Sequence, residues 1–348
     1  MKKYLTLLLL SISTLCFSQV KQMMEALKLN QPDKAIEIGQ DLKQNDSDSF
    51  EINFLLAKAY NQKKDYKNAE LFIEKAKVLS NENWQKAWIS VESIQTYYGL
   101  GKISEAKNVY EEAKAIPGTK NSDNELKYWG ILFGFDELYK DWKTVESKNI
   151  IFHFQNTISE ENIKSIVFSR QDAFDKINSF FKSELPKKID YFVWDLPSNF
   201  NPHLNKNLGF TNPEFCISHN RTNQSAGHEI AHNISHWRNP NSLKVKFINE
   251  GIAVHFDQNK NDKMTSAKEI NLSNPISIKK MWQDGKEIDE SLLYPISGAF
   301  VGFLIKYDKD KFLQLSENQT YENAKIIYGD QLDDLISNFT KELNSKNK

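Results

Sequence analysis

The segment His228-Glu-Ile-Ala-His232 constrains the fold of this 348-residue chain more than any other feature. Side chains four residues apart lie on the same face of an α-helix, so both imidazoles can reach one metal ion only if the segment is helical. Glu229 then lies beside a water molecule held by that metal, where it can act as a general base. The pattern predicts a helix with two metal ligands and is typical of zinc hydrolases.

A third protein ligand is expected, because catalytic zinc takes three such ligands and keeps one position for water. Glu250 lies in the apolar run Phe247-Ile-Asn-Glu-Gly-Ile-Ala-Val, where an unpaired carboxylate is costly and needs a cation or strong donors. The segment Asn239-Pro-Asn-Ser242 predicts a helix end, a turn and a new N-cap at Ser242. Folding the two helices back on each other brings Glu250 beside His232, so we expect zinc (Zn²⁺) on His228, His232 and Glu250.

The spacing of these residues resembles that of the gluzincin metallopeptidases. HExxH is followed by seventeen residues and then by the glutamate of Asn249-Glu-Gly-Ile-Ala, as in the peptidase MA-like domains of bacterial secreted proteins. The resemblance covers roughly residues 140 to 345 and includes the segment Tyr294-Pro-Ile-Ser-Gly. Metzincins fit less well, because Ser235 and Arg238 stand where that family has a glycine and a third histidine ligand.

The resemblance implies a thermolysin-like catalytic domain that hydrolyses peptide bonds. In such an enzyme zinc lowers the pKa of its bound water, and Glu229 takes the proton and delivers it to the leaving amine. Tyr294 is the candidate donor to the oxyanion, although an aromatic residue before Pro295 is also explained by packing at a helix start. The segment Phe215-Cys-Ile-Ser is expected to be the edge strand that pairs with an extended substrate, or else an ordinary core strand.

Weaker predictions concern the neighbours of the motif. His236 continues the four-residue spacing but lies a turn beyond the metal, and His255 points away from the ligand face. Gly251 is expected to allow the two ligand helices to approach closely. Asn249 and Asp257 are candidates to orient a ligand through a hydrogen bond.

The first 18 residues have the features of a secretory signal peptide. Lys2 and Lys3 precede an apolar run that ends at Leu15, and cleavage is expected after Ser18. The run is too short to favour a membrane span, and Leu15 disfavours the alternative of lipid attachment at Cys16. We therefore expect an exported protein in the periplasm or outside the cell.

Composition and sequons bear on nucleic-acid binding, on disulfide bonds and on the origin of the protein. Without the signal peptide, 43 basic residues stand against 46 acidic ones, a net charge of about −3, and no basic stripe with interleaved aromatic residues predicts nucleic-acid binding. Cys216 is then the only cysteine, so no internal disulfide is expected. The glycosylation sequon at Asn233 lies on the zinc helix, which favours a bacterial origin.

Residues 19–120 carry a repeat that is visible in their small residues. Ala35, Ala69 and Ala106 recur at intervals of 34 and 37 residues, each within a pattern of paired helices that resembles the tetratricopeptide (TPR) repeat. Three such hairpins can stack into a short solenoid. We favour a helical brace for the catalytic domain over a surface that docks a protein partner, and both interpretations remain open.

The chain is thus expected to be α+β and mainly helical, with TPR-like α-hairpins, a connecting segment at 121–145 and a catalytic domain with a small sheet at 146–348. The elements expected after the repeats are a connecting helix from about Ser122 to Lys140, strands at Ile150–Phe154 and Ile189–Trp194, a helix at Glu160–Phe181, a short strand near 207–211, a helix that begins at Gly298, and two helices within 321–338.

Three functions fit these patterns. The first is a zinc endopeptidase or aminopeptidase, the second a zinc-binding but non-proteolytic repeat protein that presents a partner, and the third a metal-dependent hydrolase of a non-peptide amide. All the motif residues are present, which favours the first.

Overall fold

The computed structural model describes residues 18–44, 49–195, 204, 209–259, 261–273 and 275–345. These residues are mainly helical and include one small mixed sheet of five strands, so the α+β class is confirmed. Residues 1–17 of the expected signal peptide, with Cys16, lie outside the described ranges. Within those ranges no helix combines the length and apolar character that crossing a membrane requires.

Two compact units divide the chain near residue 140. The first unit contains seven described helices. Their bounds are α1 at 18–28, α2 at Pro32–Gln44, α3 at Phe50–Gln62, α4 at Tyr66–Leu79, α5 at Asn83–Gly99, α6 at Ile103–Ala113 and α7 at Lys120–Leu132. Helix α3 packs along α4, and α5 along α6, while α1 and α2 share a hydrophobic core with α3 and α4.

The recurring alanines occupy equivalent places in these hairpins. Ala35, Ala69 and Ala106 are each the fourth residue of a second helix, and each is fully buried. A larger side chain at these positions would have little free space, because protein interiors are close-packed. The alanine interval therefore marks a true structural repeat of paired helices.

The turns between paired helices repeat as well. Asn30, Lys64 and Gly101 have φ of 54°, 65° and 74°, and the residue after each donates its N–H to a carbonyl five residues earlier. This left-handed turn satisfies the last carbonyls of the first helix. Gly134, with φ of 74°, forms a fourth turn of the same kind at the end of α7.

The connecting helix is shorter than the sequence suggested. It was expected to reach Lys140, but α7 ends at Leu132 because the left-handed turn at Gly134 stops it. Only a single 3₁₀ turn, Glu137–Tyr139, follows. Helix α7 therefore begins a fourth hairpin whose second helix is cut short.

The second unit begins with the sheet. Its strands are β1 at Lys143–Glu146, β2 at Ile150–Phe154, β3 at Ile189–Trp194, β4 at Phe210–Asn212 and β5 at Ile217–Arg221, in the spatial order β1-β2-β3-β5-β4. The three central strands are parallel, and the two edge strands pair antiparallel with their neighbours. Helix α8, Glu160–Phe181, connects β2 to β3, and the expected bounds of all three elements are confirmed.

The strand expected to begin at Phe215 is present, but it starts two residues later and is not an edge strand. Pro213–Phe215 forms a 3₁₀ turn and Cys216 has φ of 50°, so the strand β5 begins only at Ile217. Strand β5 also lies inside the sheet rather than at its edge, because β4 covers it on the outer side. The edge strand nearest the histidine helix is therefore β4.

The helices that follow the sheet are α9 at His228–Arg238, α10 at Lys246–Phe256, α11 at Lys263–Ser273, α12 at Ile278–Asp284, α13 at Glu290–Tyr307, α14 at Lys309–Glu317, α15 at Tyr321–Tyr328 and α16 at Gln331–Leu343. The two helices expected near the end are confirmed, the second running on to Leu343. The start expected at Gly298 is wrong, because Asp289 caps α13 two turns earlier and the helix continues through Pro295.

Gly251 permits a close approach, but to a different helix from the one expected. A Cβ atom at this position would lie 2.7 Å from the carbonyl oxygen of Ser297 and 2.7 Å from Cγ2 of Val301. Both residues belong to α13 rather than to α9. Helix α13 therefore packs directly on α10, beside the residue that is the third ligand candidate.

Candidate metal centre

Helix α9 carries the HExxH segment. It begins after Gly227, whose φ of +115° lies in a region that side chains rarely adopt, and Ile230 and Ile234 are fully buried in the core. A Cβ at Gly227 would lie 2.5 Å from the carbonyl oxygen of Phe256 at the end of α10. Beside it the N–H of Gln258 donates to the carbonyl of Ala226 at 2.7 Å. The start of α9 is thus joined to the end of α10.

The turn between α9 and α10 lies close to where the sequence predicted it, but the N-cap of α10 is a different residue from the one expected. Helix α9 ends at Arg238 with Asn239 as its C-cap, and the chain reverses through residues 240–245. Ser242 does not cap α10, which begins later at Lys246. Instead the side-chain oxygen of Gln319 accepts from the N–H of Val245 at 3.0 Å.

The three predicted ligands converge on one point. The Nε2 atoms of His228 and His232 lie 3.5 Å and 3.4 Å from Oε2 of Glu250. One ligand atom from each residue lies within 4.8 Å of the other two, and all three side chains are partly buried. Across the described part of the chain this is the one histidine, cysteine and carboxylate group with such spacing.

These separations fit a zinc ion. Ligand atoms at about 2.1 Å from a tetrahedral zinc are about 3.4 Å apart. An ordinary N–H···O hydrogen bond is shorter, at about 2.7–3.2 Å. The observed distances of 3.4 Å and 3.5 Å match the ligand shell better than a direct hydrogen bond. Two neutral imidazoles and one carboxylate also form a donor set that catalytic zinc uses.

The charge state of Glu250 suits a ligand. Burial alone would raise its pKa, but the ring nitrogens of His228 and His232 that face the carboxylate favour its charged form and hold the pKa far below its usual range. Burial likewise acts to lower the pKa of His232, yet the neighbouring Glu250 raises it overall. The carboxylate is therefore ionised throughout the neutral range.

Asn249 contacts one of the ligand candidates, whereas Asp257 contacts other residues. The side-chain amide nitrogen of Asn249 lies 3.2 Å from Nδ1 of His232, on the ring edge away from Glu250. Asp257 instead accepts hydrogen bonds from Ser225 and Asn259. Of the two orienting residues expected, the structure supports Asn249 alone.

The carboxylate of Glu229 is hydrogen-bonded to the edge strand β4 of the sheet. Glu229 is buried, and its Oε2 accepts a hydrogen bond of 2.7 Å from the hydroxyl of Thr211 on β4. Glu229 is not a member of the metal group formed by its two neighbouring histidines and Glu250. The carboxylate of Glu229 thus lies next to the three ligand candidates and outside their group.

Tyr294 lies at the same site. Its ring centre is 6.0 Å from that of His228, and its hydroxyl interacts with the carboxylate of Glu250. Burial, together with the negative charge of Glu250, raises the pKa of Tyr294 well above its usual value. The phenol therefore keeps its proton and can donate a hydrogen bond. Tyr294 is also the fifth residue of α13 and packs against the hydrophobic core, so its position fits packing near the helix start as well.

The two other histidines near the motif lie outside the metal group. His236 is buried with its ring 5.3 Å from that of Trp237, so it is not a surface residue. His255 packs against Phe256 at 4.9 Å, and burial lowers its pKa to about 4. Both contacts indicate structural roles.

Thr211 and Ser218 were not singled out from the sequence. They lie directly opposite each other on the paired strands β4 and β5, and their hydroxyl oxygens are 2.9 Å apart. A pair of hydroxyl residues on the two strands before an HExxH helix is the only sequence signal that could have pointed to them. The register that brings them together is set by tertiary pairing.

No protein-family model matches the chain, and no curated protein matches it either. The geometry of the site is therefore the observation from which a function can be proposed.

Proposed function

We propose that the protein is an exported zinc metallopeptidase of the gluzincin type that hydrolyses peptide bonds. The observation that supports this most is the convergence of His228, His232 and Glu250 at separations of 3.4 Å and 3.5 Å, with Glu229 beside them. We assign the three converging residues as the zinc ligands and Glu229 as the general base.

Zinc, when bound, supplies a Lewis acid that makes water nucleophilic near neutral pH and polarises a peptide carbonyl. Glu229 accepts the proton released by the attacking water and returns it to the leaving amine. The hydroxyl of Tyr294 donates a hydrogen bond to the oxyanion. Its raised pKa keeps the phenol protonated, as a donor must be. Asn249 keeps the ring of His232 oriented through Nδ1.

The helical hairpins of the first unit belong to the same proposal as TPR-like repeats. The equivalent alanines and the repeated left-handed turns support this assignment. We assign them mainly as a brace for the peptidase domain, with docking of a protein partner as the alternative. The signal peptide and the periplasmic or extracellular location of a bacterial protein remain predictions from the sequence.

The decisive experiment compares the mature protein with Glu229→Gln and Glu250→Ala. We expect Glu229→Gln to retain zinc but lose turnover of a peptide library, and Glu250→Ala to lose zinc as well. Zinc is measured by atomic emission after dialysis, and turnover by mass spectrometry of the cleaved peptides. Glu161→Gln, at an exposed position of α8, is the matched control and should change neither quantity.

Two results would contradict the proposal. Equal turnover by wild type and Glu229→Gln would exclude Glu229 as the general base. Stoichiometric zinc without cleavage of any peptide would favour a zinc-binding interaction protein instead.

A further inference from the structure

A chain of three hydrogen bonds, one buried and two partly buried, runs from Asn233 on helix α9 through the paired strands β5 and β4 to the carboxylate of Glu229. The amide nitrogen of Asn233 lies 2.9 Å from Oγ of Ser218, which lies 2.9 Å from Oγ1 of Thr211. The Thr211 hydroxyl is in turn 2.7 Å from Oε2 of Glu229. Asn233 and Ser218 are completely shielded from solvent.

The first donor in this chain is fixed by a backbone carbonyl. The side-chain nitrogen of Asn233 also donates to the main-chain oxygen of Glu229 at 3.2 Å. A carbonyl oxygen can only accept, so the NH₂ group, and not the amide oxygen, must face this side. Ser218 therefore accepts from Asn233, and the hydroxyl hydrogen of Ser218 is left to donate onward.

The donors and acceptors of the other two hydrogen bonds follow from the orientation of the Asn233 amide. Ser218 donates to Thr211, whose own single hydrogen then has two acceptors in reach, both on Glu229. The carboxylate Oε2 is at 2.7 Å and the main-chain oxygen at 3.1 Å. The shorter contact to an ionised acceptor is the stronger bond. Each hydroxyl hydrogen is used, and the chain ends on the carboxylate.

We infer that Thr211 is a positioning residue for Glu229, an inference that rests on the proposed peptidase function. The threonine holds Oε2 against the edge strand, so Oε1 alone is left to exchange the proton with water and the leaving amine. Ser218 and Asn233 hold Thr211 in its donating orientation. The edge strand β4 thereby takes part in the chemistry through a side chain.

Thr211→Val tests this inference, because valine keeps the shape of threonine and removes only the hydroxyl. With the zinc-loaded mature enzyme we expect kcat to fall about 10- to 100-fold while KM and zinc content stay the same. Thr211→Ser, which restores the hydroxyl, should recover most of kcat. Thr144→Val, at an exposed position of the opposite edge strand β1, should have no effect.

A double-mutant cycle gives a readout that does not need turnover. In the metal-free protein, Thr211→Val should lower the urea midpoint of unfolding, and the shift should shrink by more than half in a Glu229→Ala background. A merely structural threonine would give the same shift in both backgrounds. That equality would overturn the inference.

The outcomes separate the two proposals. If Glu229→Gln abolishes turnover but Thr211→Val keeps kcat within twofold of wild type, the positioning role fails and the peptidase proposal stands. If wild type shows no turnover, the peptidase proposal fails, and the cycle in the metal-free protein still decides whether Thr211 holds the Glu229 carboxylate.

Discussion

The side-chain amide of Asn249 lies 3.2 Å from Nδ1 of His232, one residue before the carboxylate that converges on the same ring. An imidazole that binds a metal through Nε2 carries its proton on Nδ1 and donates it to an acceptor. We therefore expect the amide of Asn249 to present its oxygen to the ring in the zinc-bound protein.

Asn249→Ala should lower zinc affinity about 10- to 100-fold, because the imidazole loses the bond that fixes its tautomer and orientation. Asn249→Asp keeps an acceptor for the Nδ1 proton and should retain most of the affinity. Competition with a chromogenic chelator measures both variants. Unchanged affinity in Asn249→Ala would show that the contact has no orienting role.

Tyr294→Phe should lower kcat about 100- to 1,000-fold with little change in KM or zinc content, since it removes one donor to the oxyanion. Steady-state kinetics on a peptide that the wild type cleaves gives both constants. Tyr307→Phe, at the exposed end of the same helix, is the control. A Tyr294→Phe variant that is less stable or binds zinc more weakly, but has the wild-type kcat when folded and zinc-loaded, would indicate packing alone.

Gly251→Ala should destabilise the protein by about 1–3 kcal/mol, because the added methyl group is forced against backbone and side-chain atoms of α13. Gly302→Ala is the matched comparison, since its Cβ would meet only the ring of His255, at 2.9 Å. A ring can turn aside, and alanine gains up to about 1 kcal/mol of helix propensity over glycine. Urea unfolding should rank Gly251→Ala clearly below Gly302→Ala.

His255 should make the metal-free protein less stable in acid. Its pKa is about 4 in the folded chain and 6.5 when unperturbed, so the unfolded state binds the proton first. Its contribution is complete above pH 6.5 and is lost as the pH falls towards 4, by up to about 1.4 kcal/mol for each pH unit. His255→Gln should flatten the pH dependence of the unfolding free energy in this window. Identical slopes would contradict this expectation.

The local elements that the sequence predicts correctly are those with a complete pattern of their own. The strand Ile150–Phe154 and the helix Glu160–Phe181 follow from alternation and helical periodicity. Glu250 follows from the cost of a lone carboxylate in an apolar helix together with the turn before it. The convergence of the three ligand candidates follows from the same two facts.

The features that the sequence did not predict correctly share another cause, because each depends on contacts or conformations outside the local pattern. The shift of β5 to Ile217 depends on a left-handed Cys216, and the edge position of β4 depends on sheet order. Gly251 packs against Ser297, which is 46 residues later in the sequence, and no local pattern predicts this contact. The fourth hairpin turn at Gly134 was missed because Tyr139 stands where the other repeats have their alanine.

The junction between Gly227 and the end of α10 bears on how the ion is captured. The hydrogen bond from Gln258 to Ala226 already closes the segment that carries all three ligand candidates. A metal cross-link inside a closed segment removes little further chain entropy. Unlike zinc fingers, which unfold when stripped, this protein should keep its helical circular dichroism and a cooperative melt under a chelator. Zinc would then bind to side chains that the metal-free fold already holds in position, without refolding of the chain.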